Sequence, residues 1–550
     1  MRIAGIALCL CSVAGLASAD DLNHLAADFW TWRAVHQPFT DDDIPRIERP
    51  ADLTPDWSPA SMDARRRALT EFEKRWRALD PAAWPVPRQV DYRLMGSALA
   101  RVRWELDIER GWKRNPAFYV DQTLGAVYDR MLQPPPFSTV RSAEILRRLE
   151  SIPATIEAAE VNLTEMRRPF AALTIDSLRD VRPRVQKSLG SLKPLLAPEV
   201  RSKIDEHAAR AIAALEAYRS WLEARVSSLP EDTAIGRDAY VHFLREVALI
   251  PFTPEQLLDL GAREFERSAA FETYECNRNA KRPELALFRD QVAQIERERI
   301  DEDAVRRFLV EQHILTVPGW MKHYRNLPLP AYINDLGELG VTDDLTGPSR
   351  LSEDATSYIR VPSLQLGYFS LSTARDPRPI LVHEGIPGHY SQLALSWANE
   401  DPIRRHYYDS GANEGIGFYA EEMMLQAGFF DDSPRTREII YNFMRLRALR
   451  VEVDVKLATG VFTLQQAAGY LEKNVPMDRR TALGEAAMFA STPGTAISYQ
   501  VGKAQILGFI ARARSHKKEA FRLQDLHDFI WKNGNVPIAL QAWEYLGTRP

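Results

Sequence analysis

The segment LVHEGIPGHYSQLALSW, residues 381 to 397, contains three side chains that could hold and use a metal ion. His383 is followed at once by Glu384, and His389 comes six residues after His383. Zinc hydrolases bind the ion through three protein ligands and leave one position for water. In His-Glu-x-x-His the two histidines lie about 40° apart around a helix, but a spacing of six residues places them about 120° apart. A regular helix therefore does not bring these two imidazoles to one ion.

Pro387 and Gly388 lie between the two histidines and offer a way to absorb the extra residues. A proline here removes the hydrogen bond to the carbonyl of His383 and crowds it, and a glycine adopts backbone angles that other residues avoid. The pair predicts a widened or broken turn that returns His389 to the side of His383. The alternative is that His389 only caps the helix that follows it.

A third ligand is expected from SGANEGIGFYAEEMM, residues 410 to 424, on a second helix. The run predicts a helix that opens at Asn413 and places Glu414, Phe418 and Glu421 on one face. Glu414, 25 residues after His389, is the predicted third ligand, because that separation leaves room for a loop and an antiparallel return. The alternative is that Glu414 and Glu421 are solvated.

Several nearby residues are candidates for supporting roles. Glu384 is the predicted general base. Asp409, Glu421 and Glu422 are candidates for hydrogen bonds that orient the histidines. His406, in a predicted surface loop, is a weaker rival for the third ligand.

Two later residues are also candidates for the site. Tyr499 follows a helix start predicted at Thr492-Pro493-Gly494 and could donate to the oxyanion of a hydrolytic transition state. The equal alternative is a core tyrosine bonded to the backbone. His527, beside Asp525 and Asp528, is interpreted as a cap or a surface residue.

HEGIPGH followed by NEGIGFYAEE resembles the domain-of-unknown-function 885 family, which is grouped with the zincin (gluzincin-type) metallopeptidases. Four further segments resemble the same family: LNHLAADFWTWRAVHQPF, LRALRVEVDVKLATG, STPGTAISYQVGKAQILGF and LQDLHDFIWKNGNVPI. The resemblance therefore covers nearly the whole mature chain. It implies a mostly helical fold with a deep cleft, broadly like that of the peptidyl-dipeptidase family that contains angiotensin-converting enzyme. It also implies ligands at His383, His389 and Glu414 and a base at Glu384. Members often carry a second histidine where this chain has Tyr390.

Helices dominate the elements that must position these residues. Apolar residues at three- and four-residue spacing predict helices over 64–79, 91–111, 142–168, 199–226 and 255–272. Thr253-Pro254-Glu255 predicts a helix start, and Ser228-Leu229-Pro230 predicts a break. The expectation is a mostly α-helical, metallopeptidase-like body over 20–550, in which the upstream half (20–250) packs against the half that carries the metal site (251–550).

One strand is predicted, over PSLQLGYFSLST at 362–373, as a small β element beside the active site. Its free edge could accept an extended peptide as another strand, with Tyr368 and Phe369 in contact with the substrate. The alternative is a hairpin that only closes the cleft.

The N-terminus resembles an export signal. Arg2 precedes an apolar run from Ile3 to Gly15, and Ala17-Ser18-Ala19 is a small-residue cleavage site. The run is too short to span a membrane. Neither Cys9 nor Cys11 follows the small residue that lipid attachment requires. The prediction is a signal peptide over 1–19 and a periplasmic or secreted mature protein.

The composition narrows the class of partner. The chain has 550 residues, a net charge of -5 and 45% hydrophobic residues, so nothing in its composition favours nucleic acid as a partner.

Taken together, the HEGIPGH segment, the family resemblance and the N-terminal segment predict an exported hydrolase that uses Zn²⁺ to cleave amide bonds of peptides or of another small amide. The competing hypothesis is a helical binding protein that keeps the cleft without turnover. The substrate, the endo- or exopeptidase mode and the oligomeric state stay open.

Overall fold

The computed structural model describes residues 19–40 and 47–548, and these residues form mostly α-helices with one small sheet. The predicted export signal lies outside the described residues except for Ala19, which begins the first helix. The export prediction therefore concerns residues outside the described ranges.

The upstream helices follow the predicted amphipathic segments closely. They are α1 Ala19–His36, α2 Pro59–Arg77, α3 Val86–Arg103, α4 Gly111–Arg114, α5 Ala117–Val120, α6 Ala126–Leu132, α7 Thr139–Asn162, α8 Arg168–Ser177, α9 Val181–Leu192, α10 Pro198–Arg201, α11 Ile204–Glu223 and α12 Arg237–His242. Single π-helical turns extend α3, α5 and α12 over Trp104–Ile108, Asp121–Gly125 and Phe243–Val247. The break predicted at 228–230 is confirmed, because a 3₁₀ turn ends at Ser228 and no helix resumes before Arg237.

The downstream helices surround the predicted metal ligands. They are α13 Pro254–Asn279, α14 Gln291–Glu311, α15 Ala331–Asn334, α16 Tyr368–Thr373, α17 Arg378–Ile380, α18 His389–Trp397, α19 Pro402–His406, α20 Ser410–Gln426, α21 Pro434–Ala458, α22 Leu464–Asn474, α23 Arg479–Ser491, α24 Ser498–Lys517, α25 Leu523–Lys532 and α26 Ile538–Leu546. The predicted start of α13 is confirmed: Thr253 caps it, Pro254 is its first residue, and Gln256 completes a capping box.

The sheet has three short strands, β1 Tyr324–Pro328, β2 Asp343–Asp344 and β3 Ala355–Ile359, in the order β1-β3-β2. β1 pairs with β3 in parallel, with Tyr324 opposite Ala355, and β2 pairs with β3 in antiparallel fashion. The ring of Tyr324 lies against Gly385, so one end of β1 touches the turn that carries His383. A small β element therefore does lie beside the candidate site.

The strand predicted over 362–373 is wrong. The segment begins as a loop, and its second half forms α16, which starts directly after Gly367. Leu364, whose apolar side chain supported the alternating pattern, is 69% exposed, so the pattern reflects no buried face. The real strand, β3, ends just before this segment and was missed because it is short and half polar.

The core joins the upstream and downstream parts of the chain. The largest cluster of buried apolar side chains combines upstream residues such as Leu94 with Ile403, Leu540 and Trp543 from the far end of the chain. A second cluster surrounds the HEGIPGH segment and includes Ile386, Phe418 and Trp531. The candidate site therefore lies in a well-packed region, which favours fixed side-chain positions.

No helix within residues 19–40 and 47–548 combines the length and the apolar character that crossing a bilayer requires.

Candidate metal centre

The HEGIPGH segment is two helices separated by a break. A π-helical turn, Leu381–Gly385, carries His383 and Glu384, and α18 begins at His389. Ile386 is extended, and the Ile386–Pro387 peptide bond is cis. The ring centroids of His383 and His389 lie 4.7 Å apart, so the predicted broken turn brings the two imidazoles together.

Two contacts define the path of this break. A Cβ atom on Gly388 would lie 1.7 Å from the carbonyl oxygen of His383, so only glycine fits there. The indole Nε1 of Trp531, on α25, donates a 2.7 Å hydrogen bond to the carbonyl of Pro387. The position of His389 beside His383 therefore depends on Gly388 in the break and on Trp531 of α25.

Helix α20 carries the carboxylates of the site and starts three residues earlier than predicted. Asp409 caps it by accepting a 2.9 Å hydrogen bond from the amide of Ala412, so the helix begins at Ser410. Asp409 was predicted to orient a histidine. Its observed partner is instead the helix backbone, which is the usual role of an aspartate before a first turn.

His383, His389 and Glu414 converge at one point. The Oε2 atom of Glu414 lies 3.4 Å from the Nε2 atom of His383 and 3.3 Å from that of His389. All three side chains are buried. Glu384 is partly exposed, and it offers a carboxylate oxygen within 4.8 Å of a ring nitrogen of each histidine.

These distances fit a shared divalent ion. Ligands 2.0–2.1 Å from a tetrahedral zinc are separated from each other by about 3.3–3.4 Å. Glu414 Oε2 is buried and accepts no well-directed hydrogen bond from the described residues, although two imidazole nitrogens face it. Burial alone would raise the pKa of Glu414, but His389 and His383 hold it well below its usual range. The atoms present are the nitrogen and oxygen donors that zinc accepts.

His383 is held from both sides by residues of α20. Glu414 faces its Nε2 atom, and Glu421 Oε1 lies 2.7 Å from its Nδ1 atom. Burial lowers the pKa of His383, but the two carboxylates outweigh this effect and raise it. A carboxylate at Nδ1 is the usual means of fixing a ligand histidine so that Nε2 faces the metal.

Arg447, on α21, extends this chain of contacts. Its Nη2 atom lies 2.9 Å from Glu421 Oε1, and Glu421 is fully buried. The guanidinium is also within 6 Å of the ring centroids of Phe418, Phe443 and Tyr499. The Glu421 carboxylate therefore lies between a histidine and an arginine in an apolar surrounding, where removal of one partner would leave a buried charge uncompensated.

Three other candidates lie in different environments. Glu422 pairs with Lys503 and Arg267 and does not orient a histidine. His406 stacks on Trp30, with ring centroids 5.8 Å apart. His527 is fully buried between the carbonyl of Ile314 and the hydroxyl of Tyr419, so its interpretation as a cap or surface residue is wrong.

Tyr499 lies beside the cluster formed by His383, His389 and Glu414. Its ring is nearly parallel to that of His383, with centroids 6.2 Å apart, and Arg450 lies 4.8 Å from its centre. The helix that carries it, α24, begins at Ser498 and not at 492–494. The turn before it is held by Asp454, whose carboxylate accepts hydrogen bonds from the amides of Gly494 and Ala496.

Tyr368 and Phe369, predicted to contact substrate from a strand, lie instead on α16. The hydroxyl of Tyr368 donates to Asn442, and the ring of Phe369 packs against Phe443 and Arg450. Both aromatic rings therefore support α21, the helix that carries Arg447.

A cavity of about 1000 Å³ is lined by residues of both parts of the chain, and Glu414 is the member of the cluster on its wall. Its wall includes Glu414 and the first turns of α20 and α24, and the opposite side is formed by α1, α3 and α8. A ligand in this cavity would therefore contact both parts of the chain.

Sequence reasoning assigned no role to Arg447, Gly417 or Trp531. Arg447 and Arg450 interrupt an otherwise apolar stretch of α21 at a spacing of three residues, which is a signal for buried ion pairs. Gly417 lies in the quoted NEGIGFYAEE motif, but the need for a glycine there appears only once the imidazole is placed against it. The residues around Trp531 gave no indication that its indole would bond to the carbonyl of Pro387.

The fold and the cluster define a class: a mostly helical protein in which two histidines and a glutamate converge, with the glutamate on the wall of a large cavity. The chain belongs to the DUF885 family, described as bacterial protein of unknown function, whose profile matches residues 44–542. The resemblance to this family is therefore confirmed. The comparison with curated proteins gives no match.

Two solved structures share the fold. A "putative lipoprotein of unknown function" from Shewanella oneidensis is 17% identical with a TM-score of 0.71, and the match covers 96% of this chain and 99% of that chain. A "putative lipoprotein" from Colwellia psychrerythraea is 15% identical with a TM-score of 0.77, covering 96% and 98%. At these identities the likeness concerns the fold alone.

Proposed function

We propose that the chain is a zinc-dependent hydrolase that cleaves amide bonds of peptides, related to the zincin metallopeptidases. The observation that carries the proposal is the convergence of Glu414 Oε2 with the Nε2 atoms of His383 and His389 at 3.4 and 3.3 Å. Two histidines and a glutamate are a donor set used by catalytic zinc sites. Glu414 also lines a cavity of about 1000 Å³, which supports access of a substrate to this carboxylate.

His383, His389 and Glu414 would hold the ion. Zinc, when bound, polarises a carbonyl and lowers the pKa of a bound water to about 7. In this proposal Glu384 accepts a proton from the attacking water and returns it to the leaving nitrogen. Its partial exposure, in contrast to the buried ligands, suits a group that must meet both water and substrate. Tyr499, beside His383, is the proposed donor to the oxyanion.

We also propose that the protein is exported. The pattern of Arg2, an apolar run and Ala17-Ser18-Ala19 supports this, and both structural neighbours are described as lipoproteins. We propose a periplasmic or secreted location for the mature protein.

The test combines metal analysis with a peptide library followed by mass spectrometry, with and without a chelator. Wild type should contain stoichiometric zinc and cleave peptides, and the chelator should abolish cleavage. Glu384→Gln should lose cleavage and keep zinc, whereas His383→Ala should lose both. Glu400→Gln, which changes an exposed carboxylate of the same region, is the matched control.

Two results would reject the proposal. Normal turnover by Glu384→Gln would remove the general-base role. Stoichiometric zinc without cleavage of any peptide would instead favour the binding-protein hypothesis.

A further inference from the structure

The wall of the cavity that Glu414 lines also carries an arginine whose guanidinium donors are not engaged by the described residues. Arg101 lies near the end of α3, is partly exposed, and lines the cavity. It makes no ion pair or hydrogen bond with any residue in the described ranges; its guanidinium lies 5.9 Å from the ring centre of Phe243. A cation in a partly apolar wall is costly unless an anion offsets its lost hydration.

The other arginines of the wall differ from Arg101 because each has an internal partner. These pairs are Arg33 with Glu105, Arg479 with Glu472, Arg480 with Glu338, Arg65 with the carbonyls of His36 and Asp56, and Arg405 with the carbonyl of Asn399. Burial lowers the pKa of His36 to about 4, and desolvation lowers the pKa of His406, so the shifts of both histidines disfavour their cationic forms. Among the described residues of the wall, Arg101 is thus the cation available to a ligand.

Arg101 lies near the start of α20, the helix that carries Glu414. It is close enough to Asp409 to lower the pKa of that carboxyl, which burial raises to about 6. Asp409 is the cap of α20, and its carboxylate is already engaged by the amide of Ala412. From the first residue of α20 to Glu414 the helix rises about 6 Å. One or two residues of an extended peptide, at about 3.5 Å each, cover a similar length.

We infer that Arg101 binds the free C-terminal carboxylate of a peptide substrate, so that the protein removes one or two residues from C-termini. This inference rests on the proposed hydrolase function. A guanidinium matches a carboxylate through two parallel N–H···O bonds, which a peptide amide or an internal peptide bond does not reproduce. The Phe243 ring beside it would contact the apolar part of the terminal residue.

The experiment compares peptides of one sequence with a free C-terminal carboxylate or a C-terminal amide. Wild type should prefer the free acid and release products of one or two residues from the C-terminus. Arg101→Gln should lower kcat/KM for the free acid about 10- to 100-fold and leave the amide unchanged, because a hydrogen bond to a charged group is lost. Arg101→Lys, which keeps the charge, should retain part of the preference. Arg479→Gln, an exposed and paired cation of the same wall, should retain all of it.

A binding measurement separates this inference from the proposed function. Calorimetry with zinc-loaded Glu384→Gln protein should show tighter binding of the free acid than of the amide, and Arg101→Gln in that background should remove the difference. The same binding preference, in a protein whose wild type cleaves no peptide, would keep Arg101 as the carboxylate-binding residue and reject the hydrolase. Equal cleavage and equal binding of acid and amide, or cleavage at internal bonds, would overturn the inference while the hydrolase stands.

Discussion

Gly417 lies directly against the imidazole of His383: a Cβ atom at this position would be 3.1 Å from Nε2 and 3.0 Å from Cε1 of the ring. Gly417 is three residues after Glu414 and four before Glu421, so all three lie on one face of α20. The ring of His383 therefore rests on the helix between the two carboxylates that contact it. The same hypothetical Cβ would be 3.1 Å from Cε1 of His389, so both imidazoles need this space.

Gly417→Ala should therefore weaken metal binding without unfolding the protein. The added methyl group would displace both imidazoles by a few tenths of an ångström, and a shift of that size disturbs a site with fixed ligand distances. We expect zinc affinity to fall by about 10-fold or more, by analogy with the loss of an orienting partner. Competition with a chromogenic chelator would measure it.

The matched control is Gly508→Ala on α24, where an added Cβ meets nothing within 4 Å. Because glycine in a helix is about 0.5–1 kcal/mol less favourable than alanine, this variant should be slightly more stable and bind zinc normally. Unchanged affinity in Gly417→Ala would show that the imidazoles do not depend on this contact.

We expect the contributions of Glu421 and Arg447 to the free energy of unfolding to be coupled. Glu421→Gln should lower zinc affinity about 10- to 100-fold, because Nδ1 of His383 loses its carboxylate, and it should also destabilise the protein, because the buried Arg447 loses its anion. Arg447→Met should destabilise the protein by about 3–5 kcal/mol, because it leaves a fully buried carboxylate without its arginine.

The double variant tests this explanation. If the cost of Arg447→Met arises from the unpaired Glu421, the double variant should be more stable than Arg447→Met alone in urea unfolding. Additive losses would mean that Arg447 acts mainly through its contacts with the aromatic rings.

Removing Ile386 and Pro387, which restores a four-residue spacing, should not give a working site. The break is packed from outside: Trp531 bonds to the carbonyl of Pro387, and Tyr324 lies against Gly385. The deletion variant should lose zinc and have a lower Tm, whereas Ile386→Val, which keeps the spacing, should retain zinc. An active deletion variant would show that the broken turn is incidental.

His527 predicts a component of acid sensitivity. Burial lowers its pKa from 6.5 to about 4, so the folded protein favours the neutral ring. Stability from this group is complete above the unfolded pKa of about 6.5 and is lost as the pH falls toward 4, by at most ~3 kcal/mol. Unfolding curves of wild type and His527→Gln between pH 7 and 4 should converge as the pH falls. Parallel curves would mean that His527 does not titrate in this range.

The sequence allowed the helical class, the family and the four central residues of the site to be predicted, because each depends on local information. Helix periodicity located α2, α7 and α13, and the Pro387-Gly388 pair indicated the break before α18. A capping residue fixes where α20 begins, and Asp409 was available for that purpose but was interpreted as a partner of histidine.

The errors concern features that depend on distant parts of the chain. Residues 362–373 alternate in polarity, but Leu364 faces solvent and Tyr368 packs on α21, which no pattern within the segment reveals. The partners of His527 are a carbonyl 213 residues earlier and Tyr419, so its burial could not be inferred from the neighbouring aspartates. Arg101 was indistinguishable from the chain's other arginines until their partners were known.

The hydrogen bond from Trp531 to Pro387 also orders events during biosynthesis. Both histidines leave the ribosome long before the indole that holds the bend between them, which is made 144 residues later. Until Trp531 has been made, the growing chain carries both imidazoles but lacks the hydrogen bond that holds them at their final separation. The proposed metal site is therefore complete only once synthesis has passed Trp531, and we expect selective loading of an ion to occur on the finished chain.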